Sequence, residues 1–126
     1  MDYIVVTNNP LVQKSIDLSV EYCSTLDEVM FMTRDFIHLG YELITHPLSG
    51  SVKPVQCPYK SIVLKKDQNN IKRKMLDYQA VKIIESAIKK VEQFKKNHIF
   101  REYPKSVLID YQTIDFTLLK SGLDSI

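Results

Sequence analysis

Apolar residues fall in short blocks along this chain, and their spacing changes from block to block. Tyr3 to Thr7 is an unbroken β-branched and aromatic run, the pattern of a strand covered on both faces, and so of one central in a sheet. Asn8-Asn9-Pro10-Leu11-Val12 follows. Asn9 can accept a hydrogen bond from the first turn of a helix, and Pro10 suits the first helical position because it has no N–H to leave unpaired. A short helix or turn is expected there. Ser19 to Cys23 alternates weakly around Val20 and Tyr22 and reads as a second strand.

Thr25-Leu26-Asp27-Glu28 has the spacing of a capping box, with the Thr25 hydroxyl serving the Glu28 N–H and the Glu28 carboxylate reaching back to the Thr25 N–H. Leu26, Val29, Met30, Thr33, Phe36 and Ile37 then recur at helical spacing, and Gly40 stands where a left-handed cap is expected. Tyr41 to Thr45 reads as a third strand. The order strand, helix, strand favours a parallel crossover. His46 to Pro58 has three prolines, a glycine and no sustained period; so long a structureless connection is more often functional or disordered than idle. Tyr59 to Leu64 reads as a fourth strand, and Lys65 to Asn70 as an exposed basic loop. Asp77 is placed to cap the longest helix, whose buried face is Val81, Ile84, Ala87, Ile88, Val91 and Phe94. Beyond Pro104, Ser106 to Ile109 reads as a short last strand, and Ile114 to Leu119 as either a strand or a helical turn.

These elements describe a small three-layer α/β domain with a mostly parallel sheet of about four or five strands and two main helices. At 126 residues, the length suits one domain, 1–126. No stretch is long and apolar enough to span a membrane. Tyr3 follows Met1 and Asp2 directly, without the basic start and cleavage site of a secretory signal, so a cytoplasmic location is expected. The formal charge of +2 at pH 7 is modest, acidic residues are interspersed, and neither an Arg-rich stripe nor an aromatic and basic sheet motif marks a nucleic-acid binder. The two cysteines, Cys23 and Cys57, are too few for a disulfide framework and read as buried or idle thiols.

Candidate chemistry gathers where the first and third strands end. If these strands run parallel, Asn8, Asn9 and His46 open on one edge of the sheet, the edge where α/β sheets hold ligands. The long loop leaves from that edge with Ser49, Gly50, Ser51 and Lys53 and returns at Tyr59 and Lys60. Hydroxyls, flexible backbone N–H groups and ammonium groups together hold phosphate or carboxylate. A small anionic metabolite is the expected ligand, although Ser49-Gly50-Ser51 also fits a plain tight turn. His46 is the one candidate general acid or base, and the reading preferred over that role is an ordinary strand-end histidine bonded to a neighbouring carbonyl. The Walker A, dinucleotide-binding and nucleophile-elbow spacings are absent, so no cofactor is expected. His38 and His98 share no ligand spacing with a cysteine or carboxylate, and no metal is expected.

Two segments of this sequence, Ile4 to Val12 and Thr45 to Pro54 followed by Pro58-Tyr59-Lys60-Ser61, resemble the GrdX-like proteins, small proteins encoded beside the components of glycine, sarcosine and betaine reductases. The resemblance is most specific in the central loop. It implies an accessory protein in amino-acid fermentation, with a reductase component as a possible partner, and it supplies no catalytic residues. Electron transfer fits this chain poorly, because its cysteines lack a Cys-x-x-Cys arrangement.

Overall fold

The computed structural model describes residues 2–47, 57–66, 78–97 and 103–126, with side chains in α3 described as far as residue 93. In chain order the elements are β1 (Tyr3–Thr7), α1 (Pro10–Ser15), β2 (Ser19–Tyr22), α2 (Leu26–His38), β3 (Glu42–Leu43), β4 (Ser61–Lys65), α3 (Tyr78–Asn97) and α4 (Lys105–Asp124). Among the described residues, none of the helices is long and apolar enough to cross a membrane.

The strands form one sheet in the order β2-β1-β4-β3. β1 pairs with β2 in parallel and with β4 in antiparallel, and β3 pairs with β4 in antiparallel. The sheet is therefore mixed, not mostly parallel as the pattern of elements suggested. An apolar run buried on both faces fits a central strand of either direction, so the residue pattern of β4 does not distinguish parallel from antiparallel. The expected common direction of β1 and β3 does hold, since both oppose β4. β4 lies between them, and its first residue, Ser61, pairs with Thr7 at the carboxyl end of β1.

Successive residues of the two central strands point to opposite faces. Ile4, Val6, Ile62 and Leu64 pack with α2 and α3 residues, among them Val29, Met30, Ile37, Ile84, Ala87 and Val91. Val5 and Val63 pack with Val12 of α1 and with Phe116, Leu119 and Leu123 of α4. Burial on both faces accounts for the unbroken apolar runs of β1 and β4.

Local signals act at the helix ends. Asn9 caps α1, its Oδ1 accepting from the Leu11 N–H at 3.0 Å, and Pro10 opens the helix. Thr25 caps α2 through the Glu28 N–H at 3.2 Å, while the Glu28 carboxylate takes the Ser24 N–H at 2.9 Å, one residue earlier than a capping box places it. Gly40 has φ 99 and closes the helix in the left-handed region that favours glycine. Phe36 is only partly buried and stacks on Tyr41 with ring centroids 4.8 Å apart. The face expected on α3 is buried at Ile84, Ala87, Ile88 and Val91; the Asp77 cap and the Phe94 side chain lie outside the described residues.

Two expectations are corrected. β3 is two residues long, not five, because the Ile44 and Thr45 N–H groups both turn to the Val63 carbonyl, at 2.9 and 3.3 Å, while the Thr45 hydroxyl takes the Val63 N–H at 3.0 Å. A side chain thus replaces the next rung of the ladder. The tail beyond Pro104 is one helix of 20 residues, so the short strand expected over Ser106 to Ile109 is absent and, of the two readings of Ile114 to Leu119, the helical one holds. Its β-branched residues mimic a strand pattern, but Thr113 and Thr117 return their hydroxyls to the carbonyls of Ile109 and Thr113, at 3.1 and 2.9 Å, and so satisfy them within the helix.

Candidate functional site

A polar network is built where the carboxyl end of β1 meets the start of β4 and the middle of α4. Thr7 and Ser61 are cross-strand partners, with hydroxyl oxygens 2.8 Å apart. Ser61 Oγ donates to Asp115 Oδ2 at 2.7 Å, and the Asn9 N–H donates to Thr7 Oγ1 at 3.0 Å. Because Ser61 spends its proton on Asp115, Thr7 must donate to Ser61, and the chain runs in one direction from Asn9 to the carboxylate.

Asn9 holds the network to α4. Its Nδ2 donates to Asp115 Oδ2 at 3.0 Å and to the Gln112 carbonyl at 2.9 Å, while its Oδ1 caps α1. Asn8 fixes the incoming strand: its Nδ2 donates to the Pro58 carbonyl at 2.8 Å, and its Oδ1 accepts from the Lys60 N–H at 2.9 Å. Gln112 Nε2 donates to the Tyr59 hydroxyl at 3.0 Å, and the Cys57 thiol points to the Tyr59 carbonyl at 3.3 Å. Both asparagine amides are thus engaged within the protein, and they position their neighbours.

Lys60 and Asp115 are each only 6% exposed. Burial lowers the Lys60 ammonium below its ordinary range, against the opposing pull of Cys57 and Asp115. Burial raises the Asp115 carboxyl, opposed by the hydrogen bonds from Asn9 and Ser61 and by the charge of Lys60. The Cys57 thiol is likewise pushed up by burial. Among the described residues the Lys60 ammonium has neither a hydrogen bond nor an ion pair, and the ion pair present, Arg34 with Glu85 at 3.4 Å, joins α2 to α3. Since no buried side-chain nitrogen or oxygen among the described residues lacks a hydrogen-bond partner, the Lys60 ammonium meets solvent through the small exposed part of its side chain.

The structure therefore brings together three of the expected site residues, Asn8, Asn9 and Lys60. His46 stands apart from their network: it is exposed and lines a cavity of about 210 Å³ with Gln79, Lys82, Ser86 and Lys90 of α3. Ser49, Gly50, Ser51 and Lys53 lie outside the described residues. Thr7, Ser61, Gln112 and Asp115 were not anticipated. A helical reading of the tail reveals the last of these, since Asp115 falls on the stripe of Phe116, Leu119 and Leu123, where a carboxylate has no reason to be unless it is bonded. Among the described residues, no group of His, Cys, Asp and Glu is placed to hold a metal ion.

A family model described as GrdX-like protein matches residues 4–124. The chain belongs to the GrdX-like family. No curated protein and no solved structure matches it. Membership suggests an association with glycine reductase systems. In this GrdX-like protein the matched region takes in the whole polar network, from Thr7 to Asp115, as well as His46.

Proposed function

We propose that this GrdX-like protein is a non-catalytic accessory or regulatory protein of the glycine, sarcosine and betaine reductase system, and that it holds a small carboxylate or phosphate metabolite at the carboxyl edge of its sheet. The observation that carries this reading is Lys60, whose side chain is mostly buried at the sheet edge while its ammonium reaches the surface with no ion pair among the described residues. An anionic ligand would supply the missing countercharge and a charge-assisted hydrogen bond. Asn8 fixes the Lys60 backbone and Asn9 fixes Asp115. Ser49, Gly50, Ser51 and Lys53, on the segment that leads from His46 back to Lys60, have the donor chemistry to close over such a ligand. The proposal takes residues 1–126 as one cytoplasmic domain, and the apolar clusters on opposite faces of the sheet support a three-layer reading of it.

Thermal unfolding of the purified protein in the presence of acetate, phosphate, glycine, sarcosine and betaine tests this reading. Stabilisation by one of them that is lost in Lys60→Met and in the Ser49→Ala/Ser51→Ala double variant is the expected result. A wild-type protein indifferent to all five overturns it.

A second reading, docking to a reductase component, draws on α4, where Ile114 and Leu118, four residues apart on one side of the helix, remain 50% and 41% exposed. An exposed apolar pair of this kind is the starting point of a contact surface. Co-purification with a reductase component that is lost on replacing Ile114 and Leu118 by serine would favour it.

A further inference from the structure

The charges of α3 are sorted to its two flanks. Among its described side chains the carboxylates are Glu85 and Glu92. Glu85 pairs with Arg34 of α2 at 3.4 Å, and Glu92 lines a crevice against α2 with Asp27 and Phe31. Lys82 and Lys90 stand on the flank turned to His46, which the residues beyond the end of β3 carry out of the ladder to α3. These side chains, with Gln79, Ile83 and Ser86, enclose the cavity of about 210 Å³, and no carboxylate is among the described residues that line it. Neither lysine is in an ion pair among the described residues.

We propose that this cavity is a second anion site, separate from the Lys60 edge, and that its ligand is a small phosphate monoester. Lys82 and Lys90 are eight residues apart on α3 with Ser86 midway between them. That spacing is about 12 Å along the helix axis, and a lysine stem covers about half of it, so both ammonium groups can converge over the Ser86 hydroxyl from opposite ends. A phosphate monoester brings close to two negative charges at neutral pH and three strong acceptor oxygens. Two ammonium groups and a hydroxyl serve these together, whereas a single carboxylate would leave one lysine without a counterpart.

Size and surroundings narrow the ligand further. Ile83 and Ala87 give the cavity an apolar part that suits the carbon portion of an ester. Its volume lies below the range of about 300–1,000 Å³ usual for drug-sized ligands, so the carbon portion must be short. Nucleic acids and acidic peptides are held along extended basic tracks. Here the basic flank is two lysines long, and the opposite flank of the same helix carries Glu85 and Glu92. Asn8, Asn9, Lys60 and Asp115 do not line this cavity, so the two sites stand or fall separately.

Calorimetric titration of the full chain with glycerol phosphate at fixed ionic strength tests the proposal, with circular dichroism as the check that each variant is folded. Lys82→Gln/Lys90→Gln should weaken binding by at least about tenfold, the loss expected when charge-assisted hydrogen bonds are removed. Lys89→Gln/Lys120→Gln removes the same charge from exposed lysines that do not line the cavity, and should weaken binding by less than about twofold, because such charges are screened. Ser86→Phe keeps both lysines but fills the cavity, and should abolish binding. Lys60→Met should bind as the parent does. Equal weakening in the two double variants, or full binding by Ser86→Phe, would mean that surface charge alone draws the anion, and overturns the proposal. Binding lost in Lys60→Met but kept in Lys82→Gln/Lys90→Gln assigns the phosphate to the Lys60 edge and overturns it as well, as does a wild-type protein that binds no glycerol phosphate. Oligothymidylate or polyglutamate held more tightly than glycerol phosphate through the same two lysines overturns the small ligand.

Discussion

Ser61 Oγ donates to Asp115 Oδ2 at 2.7 Å across a separation of 54 residues, so that one short hydrogen bond joins the start of β4 to the middle of α4. Without it, Asp115 would depend on Asn9, and Thr7 would lose its acceptor. Ser61→Ala should therefore destabilise the fold by about 1–3 kcal/mol, the cost of stranding a buried charged acceptor and a hydroxyl. A lowered urea midpoint with an unchanged denaturant slope is the expected measurement.

Asn9→Ala removes more than a helix cap. The side chain accepts from Leu11 and donates to Asp115 and to the Gln112 carbonyl. Loss of the cap alone costs about 1 kcal/mol, and the two stranded acceptors should bring the total to about 2–4 kcal/mol. Asn9→Asp keeps the cap but turns a donor into a second carboxylate facing Asp115, so it should be at least as damaging at neutral pH and milder in acid. Thermal melts at two pH values separate these outcomes.

The raised pKa of Asp115 has a definite sign in stability. Its folded value lies above its unfolded value, so the folded state holds the extra proton between the two. The associated stability is present in full below the ordinary Asp range near 3.8 and is lost as pH rises through the folded value. Asp115→Asn keeps an acceptor for Ser61 and Asn9 without the charge. It should gain stability relative to wild type as pH rises through that window, read as a divergence of the two melting curves; parallel curves would mean that the carboxyl is not shifted.

The residues that announced themselves in sequence were those whose role is local. Asn9 and Pro10 started α1, Thr25 started α2 and Gly40 ended it, because caps and left-handed turns are set by a few neighbouring residues. The direction of β4 was not local. Ile62, Val63 and Leu64 read as buried whichever way the strand runs, and its antiparallel direction is set by pairing with β1 and β3, partners distant in the chain. That same reversal brings Lys60 beside Asn8, so this part of the expected edge was found although the sheet around it was misread. Asp115 stayed hidden because Val107, Ile109 and Ile114 imitate a strand, and with Ile114 to Leu119 open between a strand and a helical turn there is no stripe on which a carboxylate stands out. His46 was placed by its strand end, but β3 stops at Leu43, and the residues beyond it carry His46 toward α3 instead.

His46 and Lys60 can be told apart by substitution. His46→Gln changes an exposed residue of the α3 cavity and no bond of the Asn8, Asn9 and Asp115 network. It should leave stability within about 0.5 kcal/mol, as surface changes generally do. It should also leave any ligand response of Lys60 intact. Loss of that response in His46→Gln, with the fold preserved, would return His46 to the site and make the α3 cavity part of it.

Lys60 supplies the opposite pH signature to Asp115. Its folded pKa lies below the ordinary lysine value of 10.5, so the unfolded state binds the extra proton between the two. The cost of burying the ammonium is borne in full below the folded pKa, and stability is regained as pH rises from there toward 10.5. Cys57 works against this on the alkaline side, because its raised pKa makes the folded state slow to ionise above the ordinary thiol value of 9.0. The comparison is therefore cleanest in a Cys57→Ser background. There, Lys60→Met, which fills the same space without the charge, should exceed the parent most at neutral pH, with the gap closing as pH rises toward the ordinary lysine value. A saturating anion should close the gap at neutral pH as well, by giving the ammonium its partner. A gap that neither pH nor any anion changes would mean that folding does not shift Lys60, and the anion-site reading of the sheet edge would fall with it.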